Sequence, residues 1–366
     1  MLIRSCKFSI QRMTHLLDQL PDLSLEKLKT NMISWGFPPF RAKQIIDWRN
    51  KGILNPELMH NIPQNVRAAL QKNICCEPIT LHHKQCSQDG TRKYLFALNS
   101  GKRIETVFIP ESGRGTVCLS SQVGCVLDCP FCHTGTQKFE ANLTAGEIIA
   151  QVLAVKEDLI HNPMPDHLHN DVTHLVYMGM GEPMANEEGV HQSLSMLMSE
   201  EGLHLSRRRI TISTSGLTPQ IQRLGDNLPV NLAISLHSAI NSQRDVLVPI
   251  NRKYPLEMLR ECLNSYPLTH QRHITLEYLM LDGINDRQED INALVTFVNP
   301  ERERVNLIRF NLYPGSPYTG SSGETMNAFA KALISQGIRA TVRRSRGDDI
   351  MAACGQLKSS VTTPTH

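Results

Sequence analysis

The sequence predicts an α/β protein, a partial (β/α) barrel preceded by a small helical domain. Two observations carry that expectation. Beyond about residue 170, short β-prone runs alternate with helical patterns, the rhythm of a parallel sheet with crossover helices. The first seventy or so residues instead show only helix-type spacing, and 366 residues exceed one average domain of about 150. The expected organisation is a helical accessory domain with short linking strands over 1–95, a barrel over 96–357 and a disordered tail over 358–366.

In chain order, Leu23 to Leu28 and Phe40 to Trp48 space apolar residues for one buried helix face, with Pro38-Pro39 marking the turn between them. Lys93–Leu98 and Thr106–Ile109 are β-rich and flank the turn Asn99-Ser-Gly101, so two strands are expected there. Thr144-Ala-Gly-Glu147 is a capping box opening a helix that carries Ile148, Ile149, Val152 and Val155. Further strands are expected at 173–178, 209–213, 231–236, 273–280, 306–311 and 339–343. A late helix places Met326, Phe329, Ala330 and Leu333 on one face and ends at Gly337.

Composition is that of a globular chain, with 40% hydrophobic and 20% charged residues. No apolar run approaches the roughly 20 residues of a membrane span, and Arg4, Lys7, Arg12, His15 and Asp18 interrupt the amino terminus. A soluble cytoplasmic monomer with no membrane partner is therefore expected. Ten cysteines in such a chain suggest metal binding or catalysis rather than a disulfide framework. The net charge of +3 permits a nucleic-acid partner without requiring one.

The most informative stretch is Gly124-Cys-Val-Leu-Asp-Cys-Pro-Phe-Cys-His133. Cys125, Cys129 and Cys132 put three thiolates on one loop, spaced C-x3-C-x2-C. Iron–sulfur clusters take one thiolate per iron. Three ligands leave one iron of a [4Fe–4S] cluster open to a small molecule. Zinc prefers four ligands, commonly as two C-x2-C pairs; only one such pair exists here, but Cys118 as a fourth ligand keeps zinc open. The loop resembles that of the radical S-adenosylmethionine (radical SAM) enzymes.

Tyr177-Met-Gly-Met-Gly-Glu-Pro183 follows an expected strand, where glycines permit close backbone approach and Glu182 offers a carboxylate to a ligand ammonium. By itself it is a common turn. Ile212–Gly216 and Ile234–His237 end strands with small hydroxyls. Cys354, in Arg346–Gly355, follows a charged turn among small residues, as an exposed functional thiol would. Arg207–Arg209, Arg252-Lys253 and Arg343-Arg344 with Arg346 are individually solvated faces, or together a phosphate-binding rim.

Taken together, Arg103–Val107, Cys118–Cys125, the cysteine loop, Met178–Pro183 and Arg346–Leu357 closely resemble the RlmN-type dual-specificity RNA methyltransferases. The resemblance implies a barrel of the radical SAM type and methylation of adenine carbon 2 in 23S rRNA, and in tRNA next to the anticodon. That carbon is electron-poor and the methyl of S-adenosylmethionine is an electrophile, so polar transfer fails and radical chemistry is needed. By resemblance, two S-adenosylmethionine molecules serve each turnover. One methylates Cys354; the other is reduced at the [4Fe–4S] cluster to a 5′-deoxyadenosyl radical that takes hydrogen from the S-methyl group. Cys118 then releases the product, leaving a disulfide bond, and Glu105 accepts a proton. Gly181, Glu182, Ser213, Ser235, Leu236, His237 and Asn311 are implied to bind S-adenosylmethionine, and flavodoxin or ferredoxin to supply electrons.

Departures from the family pattern touch RNA docking and put the substrate range in doubt. Lys138-Phe139 and Ala141-Asn142 stand where many relatives carry Gly-Phe and Arg-Asn, Trp48-Arg49-Asn50 replaces a more apolar run, and no lysine-rich tail follows. The alternatives are a Cfr-like enzyme acting on adenine carbon 8, a zinc-containing RNA-binding protein without catalysis, and a radical SAM enzyme with a non-RNA substrate.

Overall fold

The computed structural model describes residues 17–268 and 272–359. The interrupted pattern noted over Met1–Leu20 therefore lies largely outside the described residues. Three helices come first. In α1 (Leu25–Ser34) the Ser24 side chain caps the amide of Lys27; α2 (Phe40–Asn50) buries Ala42, Ile45 and Ile46; α3 (Gln64–Asn73) buries Val66 and Leu70. Arg49 of α2 is buried and ties this segment to the rest. Its guanidinium donates to the carbonyl oxygens of Leu23 (2.7 Å) and Glu201.

A ten-stranded sheet runs in the order β1-β2-β3-β4-β7-β8-β9-β10-β11-β12. β1 (Ile79–Cys86), β2 (Arg92–Leu98), β3 (Arg103–Glu111) and β4 (Arg114–Cys118) form an antiparallel meander. From β4 onward every pairing is parallel, through β7 (His174–Tyr177), β8 (Ile210–Thr214), β9 (Asn231–Ser235), β10 (Ile274–Met280), β11 (Glu303–Arg309) and β12 (Ala340–Arg343). β1 and β12 are not paired, so the barrel is partial. Two short strands, β5 (Gln122–Val123) and β6 (Ala141–Asn142), pair separately and bracket the cysteine loop.

Parallel neighbours need crossover connections. These contain α4 (Ala145–His161), α5 (Glu187–Met198), α6 (Thr218–Asn227), α7 (Asn241–Leu247), α8 (Leu256–Ser265), α9 (Gln288–Phe297) and α10 (Gly323–Ser335). The capping box at Thr144 and Glu147 is formed, and Met326, Phe329, Ala330 and Leu333 are the buried face of α10. Gly337 follows α10 with φ +82°, a left-handed conformation suited to glycine. Among the described residues no helix is long and apolar enough to cross a membrane.

Some boundaries differ from expectation for identifiable reasons. β1 has mostly exposed side chains as an edge strand, so its sequence lacks apolar alternation. The expected division after residue 95 falls inside β2. β11 starts at Glu303, not residue 306. The charged run Glu301–Arg304 resembles a loop, but the Glu303 carboxylate is buried and neutralised by Arg260, with the Asn299 amide donating to it at 2.9 Å. Lys358 and Ser359, expected in a disordered tail, are hydrogen-bonded to Glu105 and Gln137; 360–366 lie outside the described residues.

Asp158 on α4 fastens the meander to the helix layer. It accepts from Lys84 (2.7 Å), Arg92 (2.8 Å) and the Tyr94 hydroxyl (2.8 Å). Burial pushes this carboxyl up, but those three donors overcome it and its pKa lies below the ordinary value. A depressed carboxyl stabilises the fold above its unfolded pKa of about 4, and that contribution is lost as pH falls through the folded value. Asp158→Asn should therefore show a shallower loss of stability below about pH 4 in acid unfolding followed by circular dichroism. An unchanged acid limb would show that the carboxylate does not fasten these layers.

Candidate active site at the carboxyl ends of the parallel strands

The cysteine loop leaves β5 through Gly124, whose φ is +73°. A Cβ there would lie 2.2 Å from the Lys138 carbonyl oxygen, so no other residue fits the crossing. The loop then turns tightly, with the Cys132 amide donating to the Cys129 carbonyl at 3.1 Å. Burial raises all three thiols, Cys125 to about 12, and mutual repulsion of the thiolates adds to it. Three thiols crowded this way, Cys129 buried and Cys125 and Cys132 partly so, are poor anions unless a cationic centre compensates them, as a coordinating metal does. Among the described residues no three His, Cys, Asp or Glu side chains are placed to hold a single metal ion. A cluster that gives each thiolate its own iron needs no such convergence. The donor set therefore fits an iron–sulfur cluster better than zinc.

The three cysteines line one cleft of about 1060 Å³ with Gly181, Glu182, Ser213, Ser235, His237, Asn311 and Cys354. Gly181 (φ +96°) packs on Gln122, where a Cβ would come within 2.5 Å of the Gln122 Cβ. Glu182 is buried. Its carboxylate accepts the amides of Ser215 (2.8 Å) and Met184 (3.0 Å), while burial raises its pKa against those bonds. Leu236 does not line the cleft; it supports the wall from behind, its amide donating to the Glu277 carbonyl at 3.0 Å.

His237 is held in the left-handed region at φ +55° and is buried. Its Nδ1 accepts the Leu279 amide at 3.0 Å, which leaves the ring proton on Nε2. Burial, with Arg244 nearby, lowers its pKa to about 3, so the imidazole is neutral. Phe131 of the cysteine loop meets the ring edge-on, with centroids 4.7 Å apart.

A strap over residues 354–359 closes one side. The His133 amide donates to the Gly355 carbonyl (2.8 Å), Thr134 Oγ1 to the Leu357 carbonyl (2.6 Å), and Asn311 Nδ2 to the Cys354 carbonyl (3.2 Å). Cys354 also lines an adjoining cavity of about 570 Å³ with Cys118 and Arg343. Both sulfurs are free thiols, so the disulfide implied by the resemblance is not formed here. Burial, then the Cys354 charge, raise Cys118 to about 12. Glu105 lines neither cavity. Burial raises its carboxyl, which pairs with Lys93 at 3.4 Å and accepts the Lys358 amide at 2.9 Å.

Three residues of the site carry no local sequence signal. Arg244 is completely buried and joins the ends of two strands, donating to the carbonyl oxygens of Ser215 (2.7 Å), Leu236 (3.0 Å) and Ser235 (3.3 Å). Glu277 sits at the base of the cleft, held by Asn306 Nδ2 at 2.8 Å. Arg343, one of a basic run that resembles a solvated face, instead points at the sulfurs, and the Cys354 charge is the main cause of its raised pKa.

Known proteins resemble this chain over most of its length. Residues 119–295 match the model of the radical SAM superfamily, and 18–76 that of the ribosomal RNA large subunit methyltransferase N-terminal domain. The dual-specificity RNA methyltransferase RlmN of Paracoccus denitrificans is 45% identical over 350 residues, covering 93% of this chain and 90% of that protein. The enzyme of the same name from Roseobacter denitrificans is 43% identical over 350 residues, covering 93% and 89%. A crystal structure of a radical SAM methyltransferase from Sphaerobacter thermophilus superposes with a TM-score of 0.88 at 39% identity, covering 94% of this chain and all of that one. Such likeness leaves no room for a non-catalytic zinc protein, and its family implies S-adenosylmethionine and a [4Fe–4S] cluster. The chain belongs to the RlmN family of radical SAM RNA methyltransferases.

Proposed function

We propose that the enzyme methylates carbon 2 of an adenine in 23S rRNA, and of the adenine beside the anticodon in tRNA, through S-methylation of Cys354 and two S-adenosylmethionine molecules per turnover. The observation that best supports this reading is the position of Cys354. It borders both the cleft of the cysteine loop and the cavity of Cys118.

Cys125, Cys129 and Cys132 hold the cluster, which when bound supplies the electron that cleaves S-adenosylmethionine. Glu182 takes the ligand's ammonium, Gly181 lets the backbone approach, and Ser213, Ser235, His237 and Asn311 orient the nucleoside against a wall backed by Leu236. Arg343 faces both Cys118 and Cys354. Burial pushes the Cys118 thiol up to about 12, so it keeps its proton until it is needed. After the methyl carbon has joined the ring, Cys118 attacks the Cys354 sulfur and frees the product. Glu105 takes the ring proton once the strap releases it from the Lys358 amide. The helical segment helps bind RNA, the chain acts as a monomer, and flavodoxin or ferredoxin serves as reductant.

Anaerobic reconstitution with iron, sulfide and a reductant, followed by mass spectrometry of both RNAs, tests the proposal. The expected product is 2-methyladenosine in rRNA and in tRNA. Only 8-methyladenosine would favour Cfr-like chemistry, and modification of neither RNA would overturn the assignment. Product in rRNA alone would remove the tRNA half.

A further inference from the structure

We propose that the RNA strand docks at the far mouth of the barrel lumen, on unpaired arginines at the amino ends of the parallel strands, and that its adenine passes up the lumen to Cys354. This rests on the RNA methyltransferase reading above and names where that substrate binds. A cavity of about 1880 Å³ opens there, away from the cysteine loop, none of whose residues line it. Arg114 starts β4, Arg208 precedes β8, Arg272 precedes β10 and Arg304 lies at the start of β11, and all four line this mouth. Three more arginines line it, Arg343 at the carboxyl end of β12 with Arg344 and Arg346 just beyond, against only two carboxylates, Glu111 and Glu277.

The chain as a whole carries an excess of only three positive charges, so this concentration is local. Among the described residues the rim arginines lack carboxylate partners within ion-pair distance, apart from Arg346 with Asp89 at 3.8 Å. Arg114 and Arg304 donate only to hydroxyls, of Thr116 and Thr275, each at 3.0 Å. The field is felt at His174 on the same wall. Burial first, then Arg114, Arg209 and Arg272, lower its pKa to about 4. Like charges held this close repel one another and are relieved by a polyanion, and guanidinium matches phosphate in planar, paired hydrogen bonds.

A route joins this mouth to the chemistry. Met178 and Arg343 line this cavity, the cleft and the Cys118 cavity, and Glu277 lines both this cavity and the cleft. One base can therefore be drawn inward while its backbone stays on the rim, as enzymes acting on bases require. Several arginines spread over four strand starts suit successive phosphates rather than one small anion.

The test uses the reconstituted holoenzyme and an RNA hairpin carrying the target adenine, with binding followed by fluorescence anisotropy across salt concentrations. Arg272 and Arg304 are both exposed, so Arg272→Glu with Arg304→Glu should leave cluster absorbance and S-adenosylmethionine binding unchanged. RNA affinity should fall about 100-fold, and the slope of log affinity against log salt should drop by about 2. Lys331→Glu, on exposed α10, should change neither. If the double reversal disturbs the cluster, the neutral pair Arg272→Gln and Arg304→Gln decides on the same slope. An unaltered slope in a protein whose parent binds the hairpin overturns this inference. A parent that binds no RNA at all fails the underlying reading instead.

Discussion

Cys354→Ala should retain the visible absorbance of the cluster and bind S-adenosylmethionine, yet RNA methylation should fall by at least about a thousandfold. The size follows from the proposed role: an obligatory covalent carrier has no substitute, and its removal costs as much as removal of the whole relay. The structure explains why the loss is selective. Cys354 is fixed through its carbonyl to Asn311, and the adjoining strap is fixed through the Gly355 and Leu357 carbonyls to His133 and Thr134. None of these bonds uses the sulfur. Peptide mass spectrometry of the parent enzyme after incubation with S-adenosylmethionine should find one extra methyl on Cys354. Methylation surviving in the alanine variant would remove the covalent carrier from the mechanism.

Arg244→Met has the largest expected effect on folding. No carboxylate lies within ion-pair distance of this buried guanidinium among the described residues, so the change does not exchange an ion pair for apolar packing. It takes the guanidinium donor from the carbonyl oxygens of Ser215 and Ser235 and from the buried Asn251 Oδ1, while the Leu236 carbonyl keeps the Ser238 amide at 2.7 Å. Each buried acceptor left alone costs about 1–3 kcal/mol, and the sum should reach about 4 kcal/mol. For a chain of this length that lowers the unfolding temperature by roughly 5 °C, readable by calorimetry. Because the same carbonyls fix the ends of β8 and β9, S-adenosylmethionine affinity should fall as well. A calorimetric change below about 1 kcal/mol would mean that these strand ends hold themselves.

The parts of the molecule legible in the sequence are those specified locally. The cysteine loop needs three ligands within eight residues, and the capping box at Thr144 needs four consecutive positions. β7 to β10 bury apolar side chains, so their runs stand out against the helices between them. β1 did not stand out, because an edge strand leaves most of its side chains in water. The start of β11 was hidden because Glu303 counts as charged until Arg260, forty-three positions away, neutralises it. Arg244, Glu277 and Arg343 are silent for the same reason. Their partners come from other strands, so only the folded chain shows a buried guanidinium clamping two strand ends or a basic run turned toward two sulfurs.

The backbone amide of Lys358, which occupies the Glu105 carboxylate, lies only four residues beyond Cys354. Such a short tether spans at most about 14 Å when fully stretched. The chain between them is pinned at the Gly355 and Leu357 carbonyls by His133 and Thr134, so the sulfur can turn without dislodging this stopper. On the proposed roles, freeing the acid to collect a proton requires the whole strap to lift, a movement separate from that of the thiol.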